Sequence, residues 1–118
     1  VRRREIAPAR PGREESDMAV VFLSITPIGT GTPGVSEYVA GVERVLRASG
    51  LKSQLTAMGT IIEGDLDAIL RVVREMHEHP FTKGAVRVST LLKIDDRRDK
   101  EHTIDRKMRS VEEKLRGG

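Results

Sequence analysis

Gly29, Gly31 and Gly34 stand at the spacing G-x-G-x-x-G, inside the run Thr26-Pro27-Ile28-Gly29-Thr30-Gly31-Thr32-Pro33-Gly34. That spacing is the dinucleotide fingerprint, in which glycines let a backbone turn approach a pyrophosphate. The fingerprint also needs parallel strands, and an acid about 20 residues further on to hold the ribose. Here the next strand pattern, Leu51 to Met58, ends without an acid and turns at Met58-Gly59 into a short strand, Thr60 to Glu63. Such a hairpin is antiparallel, so the dinucleotide reading fails. The loop retains a second possible chemistry. Thr26, Thr30, Thr32 and Ser36 crowd a helix entry, where backbone N–H groups favour an anion or a polar ring atom. Its structural alternative is a turn that only redirects the chain from strand to helix.

Met58, Gly59, Thr60 and Glu63 form a second cluster. A carboxylate on a sheet surface, such as that of Glu63, can pair with the amino group or ring nitrogen of a cationic heterocycle. The alternative is a hairpin with one solvated acid. His77-Glu78-His79 has i, i+2 spacing, which puts the two histidines on different faces of a helix and suits a helix end better than a metal. His102 stands alone, and no nucleophile, base and orienting acid can be assembled from the order of residues. These residues favour binding over catalysis, with no cofactor implied.

Composition narrows the classes further. The chain has 118 residues and no cysteine, which excludes disulfides and thiolate metal sites and fits a reducing cytoplasm. No apolar run approaches the ~20 residues of a membrane span. The net charge of +3 is small because acids interleave with bases, a solvated pattern rather than a polyanion-binding tract. The aromatic residues are Phe22, Tyr38 and Phe81, too few for base-stacking platforms, so neither nucleic acid nor membrane is expected as a partner.

The elements that must position these clusters follow from periodicity. Residues 1–17, rich in Arg, Glu and Pro, are expected to be a disordered arm or a non-native leader, with Met18 as a natural start. Residues 18–116 then form one domain. Ala19 to Thr26 alternates as a strand, with Val21, Leu23 and Ile25 on one side and Val20, Phe22, Ser24 and Thr26 on the other. Gly34 to Ser49 carries the helical stripe Val35, Val39, Val42, Val45 and Leu46, with Ser36 as N-cap and Gly50 as stop. The hairpin Leu51 to Glu63 follows. Asp65 caps a second helix with Leu66, Ile69, Leu70, Val73 and Met76 on one face and Pro80 just past its end. Gly84 to Ile94 is the longest strand, and Thr103 to Arg116 is a third helix with the stripe Ile104, Met108, Val111 and Leu115. The order β-α-β-β-α-β plus a helix predicts an α+β, ferredoxin-like fold, with two helices on one face of an antiparallel sheet. The uncovered face, with Phe22, Leu55 or Met58, and Leu91, predicts burial by the third helix or a second subunit. The charged run Asp95 to Lys100 suits ion pairs between subunits.

As a set, Ser24 to Gly31, Ser36-Glu37-Tyr38-Val39, Met58 to Gly64, His77-Glu78, Arg87-Val88 and Lys93 to Lys100 resemble the small thiamine-binding proteins of archaea, bacteria and yeast, over about residues 18–115. The resemblance implies a ferredoxin-like fold, dimers that pair into tetramers, and binding of thiamine or its pyrimidine portion without established catalysis. It implies site residues in the loop (Thr26, Gly29, Thr30, Ser36, Tyr38) and the hairpin (Met58, Gly59, Thr60, Glu63). On this reading Glu63 meets the aminopyrimidine, Tyr38 and Met58 flank its rings, and the loop holds polar edges or a phosphate. The role expected is storage, salvage or regulation in the cytoplasm. The rival is a stand-alone regulatory module of the amino-acid-sensing kind, which shares the strand and helix order. A small enzyme acting on phosphorylated metabolites ranks behind both.

Overall fold

Alternation along the first strand decides where the core lies. In the computed structural model, which describes residues 18–31, 35–99 and 103–117, β1 (Ala19–Pro27) buries Ala19, Val21 and Leu23 against the helices. β1 pairs antiparallel with β3 (Thr60–Gly64) on one side and with β4 (Val88–Asp96) on the other. β2 (Lys52–Leu55) pairs with β3, and the sheet order is β2-β3-β1-β4. Helices α1 (Ser36–Ser49) and α2 (Leu66–Thr82) cover one face. This is the expected ferredoxin-like α+β arrangement, with an extra C-terminal helix α3 (Ile104–Arg116). The all-antiparallel pairing around β1 also agrees with setting the dinucleotide fingerprint aside.

The core joins Val42 and Leu46 of α1, Ile69, Val72, Val73 and Met76 of α2, Ile62 of β3 and the inward residues of β1. Fully burying one such side chain stabilises by about 1.5–3 kcal/mol, so these few residues carry much of the fold. The helix ends are set locally. Gly50 stops α1 at φ 76°, a left-handed conformation that costs glycine little. Asp65 caps α2 by accepting from the Ala68 N–H at 3.2 Å.

Four local expectations are corrected. Ser36 is not the N-cap of α1. Val35 holds that position without a side-chain cap bond, and Ser36 is already helical. Pro80 lies inside α2, near its last turn, where the ring forfeits one backbone bond. The chain then tightens, with the Lys83 and Ala85 N–H groups both donating to the Pro80 carbonyl. β4, expected from Gly84 to Ile94 as the longest strand, runs from Val88 to Asp96 and only equals β1 at nine residues. Leu55 pairs with Thr60, which pairs with the inward-facing Leu23, so Leu55 belongs to the helix side of the sheet.

α3 begins over the other sheet face. Thr103 caps it, and the Glu63 carboxylate accepts from the Ile104 N–H at 2.6 Å. Lys52 lies between Glu63, at 3.4 Å, and Asp105, at 2.6 Å. Lys107 pairs with Asp95 at 2.9 Å. Within the charged run, Arg97 pairs with Asp99 and Arg98 with Asp96. Ile104 is buried, whereas Met108, Val111 and Leu115 of the same stripe are exposed. No helix among the described residues is long and apolar enough to cross a membrane. The expectations for residues 1–17, and for Thr32, Gly34 and His102, lie outside the described residues.

Candidate functional site

Between α1, the end of β1 and the β2–β3 turn lies a cleft of about 200 Å³. Thr26, Met58, Gly59 and Thr60, four of the residues expected at a site, line it together. Val39 and Met76 give it apolar walls. Its one buried charge is Glu43 of α1, which is 8% exposed. The Thr60 hydroxyl donates to Glu43 Oε2 at 3.1 Å. No cation forms an ion pair with Glu43 among the described residues. A carboxylate taken out of water without a cation is costly unless donors satisfy it. Facing a cleft lined by apolar side chains and by the hydroxyls of Ser24, Thr26, Thr56 and Thr60, it suits a ligand that brings N–H donors or positive charge.

The hairpin turn is held in shape by Thr56. Its N–H donates to the Gly59 carbonyl at 2.8 Å and its hydroxyl does so at 2.7 Å. The same hydroxyl accepts from the Gly59 N–H at 3.2 Å. Gly59 passes close to β1: a Cβ there would stand 2.5 Å from the Phe22 ring and 2.7 Å from the Leu23 carbonyl oxygen. Glycine is what allows the turn to close one wall of the cleft. Met58 projects at the rim, 81% exposed.

The remaining expected residues lie elsewhere. Ser36 and Tyr38 line a separate groove of about 710 Å³ on another side of α1, with Gly41, Arg44, His79 and Lys83. Gly29, at φ 73°, and the part-buried Thr30 follow β1 and line neither hollow. Glu63 points to the opposite sheet face, where it holds the start of α3. A third hollow of about 180 Å³ lies on that face, among Val20, Phe22, Ile61, Ile104 and Met108. His77 does not join a metal cluster. Its Nδ1 lies 2.6 Å from the Thr90 hydroxyl, and its ring meets Phe81 edge-on. Among the described residues no His, Asp and Glu side chains gather as a metal site.

Sequence reading passed over Glu43, although a signal was present. Val39, Val42, Glu43 and Leu46 follow the i, i+3, i+4, i+7 spacing of an inward helix face. An acid inside that stripe is a buried acid. The Val-rich stripe predicts an apolar face throughout, and the structure places a buried carboxylate at its centre.

Comparison with known proteins agrees with the resemblance seen in the motifs. The family model for thiamine-binding proteins matches residues 21–112. Over 102 residues the chain is 49% identical to the UPF0045 protein YqgV of Bacillus subtilis, spanning 83% of this chain and 98% of that one. The crystal structure of the hypothetical protein MJ1052 of Methanocaldococcus jannaschii superposes with a TM-score of 0.75 at 41% identity, over 82% of this chain and 98% of that one. A structure from Thermotoga maritima, described as a candidate thiamine biosynthesis/salvage protein, shares the fold with a TM-score of 0.67 at 21% identity, over 80% and 98% of the two chains. The chain belongs to the thiamine-binding protein family.

Proposed function

We propose that the protein is a cytoplasmic, non-catalytic binder of thiamine or of its aminopyrimidine ring, and that the ring enters the cleft between α1 and the β2–β3 turn. The observation that carries this reading is the buried Glu43 carboxylate, held by Thr60 and facing a cleft of mixed apolar and hydroxyl lining. An aminopyrimidine brings an exocyclic amino group beside a ring nitrogen, two donors when the nitrogen is protonated. A carboxylate accepts both, and such charge-assisted bonds are the strong ones. The cleft, at about 200 Å³, falls below the ~300–1,000 Å³ usual for drug-sized ligands. It suits one ring, with the rest of thiamine passing Met58 at the rim.

In this reading Glu43 takes the role expected of Glu63. Thr26, Met58, Gly59 and Thr60 remain in the contact set, whereas Gly29, Thr30, Ser36 and Tyr38 lie outside it. The family's binding name favours ligand holding over turnover. Assembly as a dimer of dimers belongs to the same proposal. It is supported by the exposed stripe Met108, Val111 and Leu115 and by the exposed Leu91 on the sheet.

Isothermal calorimetry with thiamine, the free aminopyrimidine and thiamine diphosphate tests the proposal. Saturable micromolar or tighter binding is expected, with the free pyrimidine retaining most of the heat. Absence of heat with all three on a folded protein overturns it. Thermal stabilisation by amino acids alone would put the sensing-module reading in its place.

A further inference from the structure

The groove on the other side of α1 has a different chemistry from the cleft. α1 and α2 pack side by side there, and Gly41 makes the contact close. A Cβ at Gly41 would stand 2.5 Å from His79 Nε2. Glycine inside a helix costs about 1 kcal/mol relative to alanine. At this position it lets the imidazole seat against the backbone of α1. Arg44 lies one turn further along α1, Lys83 lies just past the end of α2, four residues after His79, and both line the same groove. Neither forms an ion pair with a carboxylate among the described residues. Glu37 is the acid on the groove wall. Burial first, and then the charges of Lys83 and Arg44, hold the His79 pKa below the ordinary imidazole value.

A concave surface that gathers unneutralised cations raises the local concentration of anions. The donor set narrows the anion. A guanidinium fork, an ammonium, an imidazole and the hydroxyls of Ser36 and Tyr38 offer more donors than one carboxylate can accept. A phosphate, with three terminal oxygens and up to two charges, can use them. The volume of about 710 Å³ leaves room for a small organic group beside it.

We propose that this groove is a second binding site, which takes a phosphate-bearing small molecule on Arg44, Lys83 and His79. The cleft at Glu43 faces the sheet from a different side of α1, so the two sites are separable by mutation.

The test follows the histidine ring signals of the full-length protein by NMR as inorganic phosphate, and then pyrophosphate, is added. A saturable shift at His79, with its pKa rising toward the ordinary value, is expected, while His77 serves as an internal control. Arg44 and Lys83 are exposed, so R44Q and K83Q should fold, as circular dichroism checks. Each is expected to weaken phosphate binding on the order of tenfold, the usual size for a charge-assisted contact. The R44Q/K83Q double variant is expected to keep its thiamine affinity. A non-saturable response, or an equal saturable response in the double variant, overturns the proposal.

Discussion

The Thr60 hydroxyl donates to the Glu43 carboxylate at 3.1 Å, tying the middle of α1 to the first residue of β3 inside the protein. A buried carboxyl group held by one neutral donor contributes little to the fold, and in the proposed reading it serves the ligand instead. Glu43→Gln keeps the shape and removes the charge. Thiamine affinity is expected to fall about ten- to hundredfold, the range for a hydrogen bond to a charged group. Stability in urea is expected to stay level or rise, because a buried charge is gone. Calorimetry and urea unfolding on the same variant check both. A loss of stability with thiamine affinity intact would make Glu43 a structural residue only.

Gly59 sets the position of one cleft wall. Gly59→Ala places its methyl against the Phe22 ring and the Leu23 carbonyl oxygen, at 2.5 and 2.7 Å. The ring can rotate aside, but the β1 backbone cannot. The turn must therefore lift from β1, at a cost of about 1–3 kcal/mol for overpacking. Because Met58 and Thr60 flank the lifted residue, ligand affinity should fall together with the unfolding midpoint. Alanine at 59 with unchanged stability would show that the turn yields freely.

Glu63 and Glu43 can be separated experimentally. They lie on different faces of the sheet, and Glu63 is engaged with the Ile104 N–H at 2.6 Å and with Lys52 at 3.4 Å. Glu63→Ala removes an acceptor from the start of α3, an effect akin to loss of an N-cap, about 0.5–2 kcal/mol. Hydrogen exchange should accelerate in the first turns of α3 while the core strands stay protected. An unchanged exchange profile would show that Thr103 and the burial of Ile104 hold the helix without Glu63. A loss of thiamine affinity as large as that of Glu43→Gln would move the site to the α3 side of the sheet.

The strand and helix order was legible because it rests on periods that one sequence displays. The alternation from Val20 to Ile25 and the stripe Ile69, Val73, Met76 name the inward faces directly. Boundaries were less legible. Proline predicts a helix end before Pro80, but close to the end of a helix it removes one bond only, and α2 runs on to Thr82. The candidate site was half legible. Short-range chemistry marked Met58, Gly59 and Thr60, which are neighbours in the chain. Glu43 belongs with them only through pairing across 17 residues. Glu63 looked available because the sequence does not say that α3 starts over it. That one acid lies buried in a cleft and the other holds a helix end is a matter of tertiary packing, which the chain order does not display.

His79 supplies a pH dependence whose sign is fixed by its surroundings. Burial and the charges of Lys83 and Arg44 lower its pKa from the ordinary 6.5 in the folded protein. Glu37 shares the groove but does not reverse that direction. The unfolded chain therefore takes up a proton at this ring more readily than the folded one. Where the unfolded state binds more protons, stability rises with pH. The contribution is fully favourable above the unfolded value of 6.5 and is lost as pH falls below it, toward the lowered folded value. Urea unfolding at a series of pH values from neutral downward should show this slope, and His79→Gln should flatten it. Adding phosphate should flatten it as well, since an anion beside Arg44 and Lys83 raises the folded pKa toward the unfolded one. A slope that persists in His79→Gln would assign it to other groups. A slope that phosphate leaves untouched would separate the histidine from the anion site.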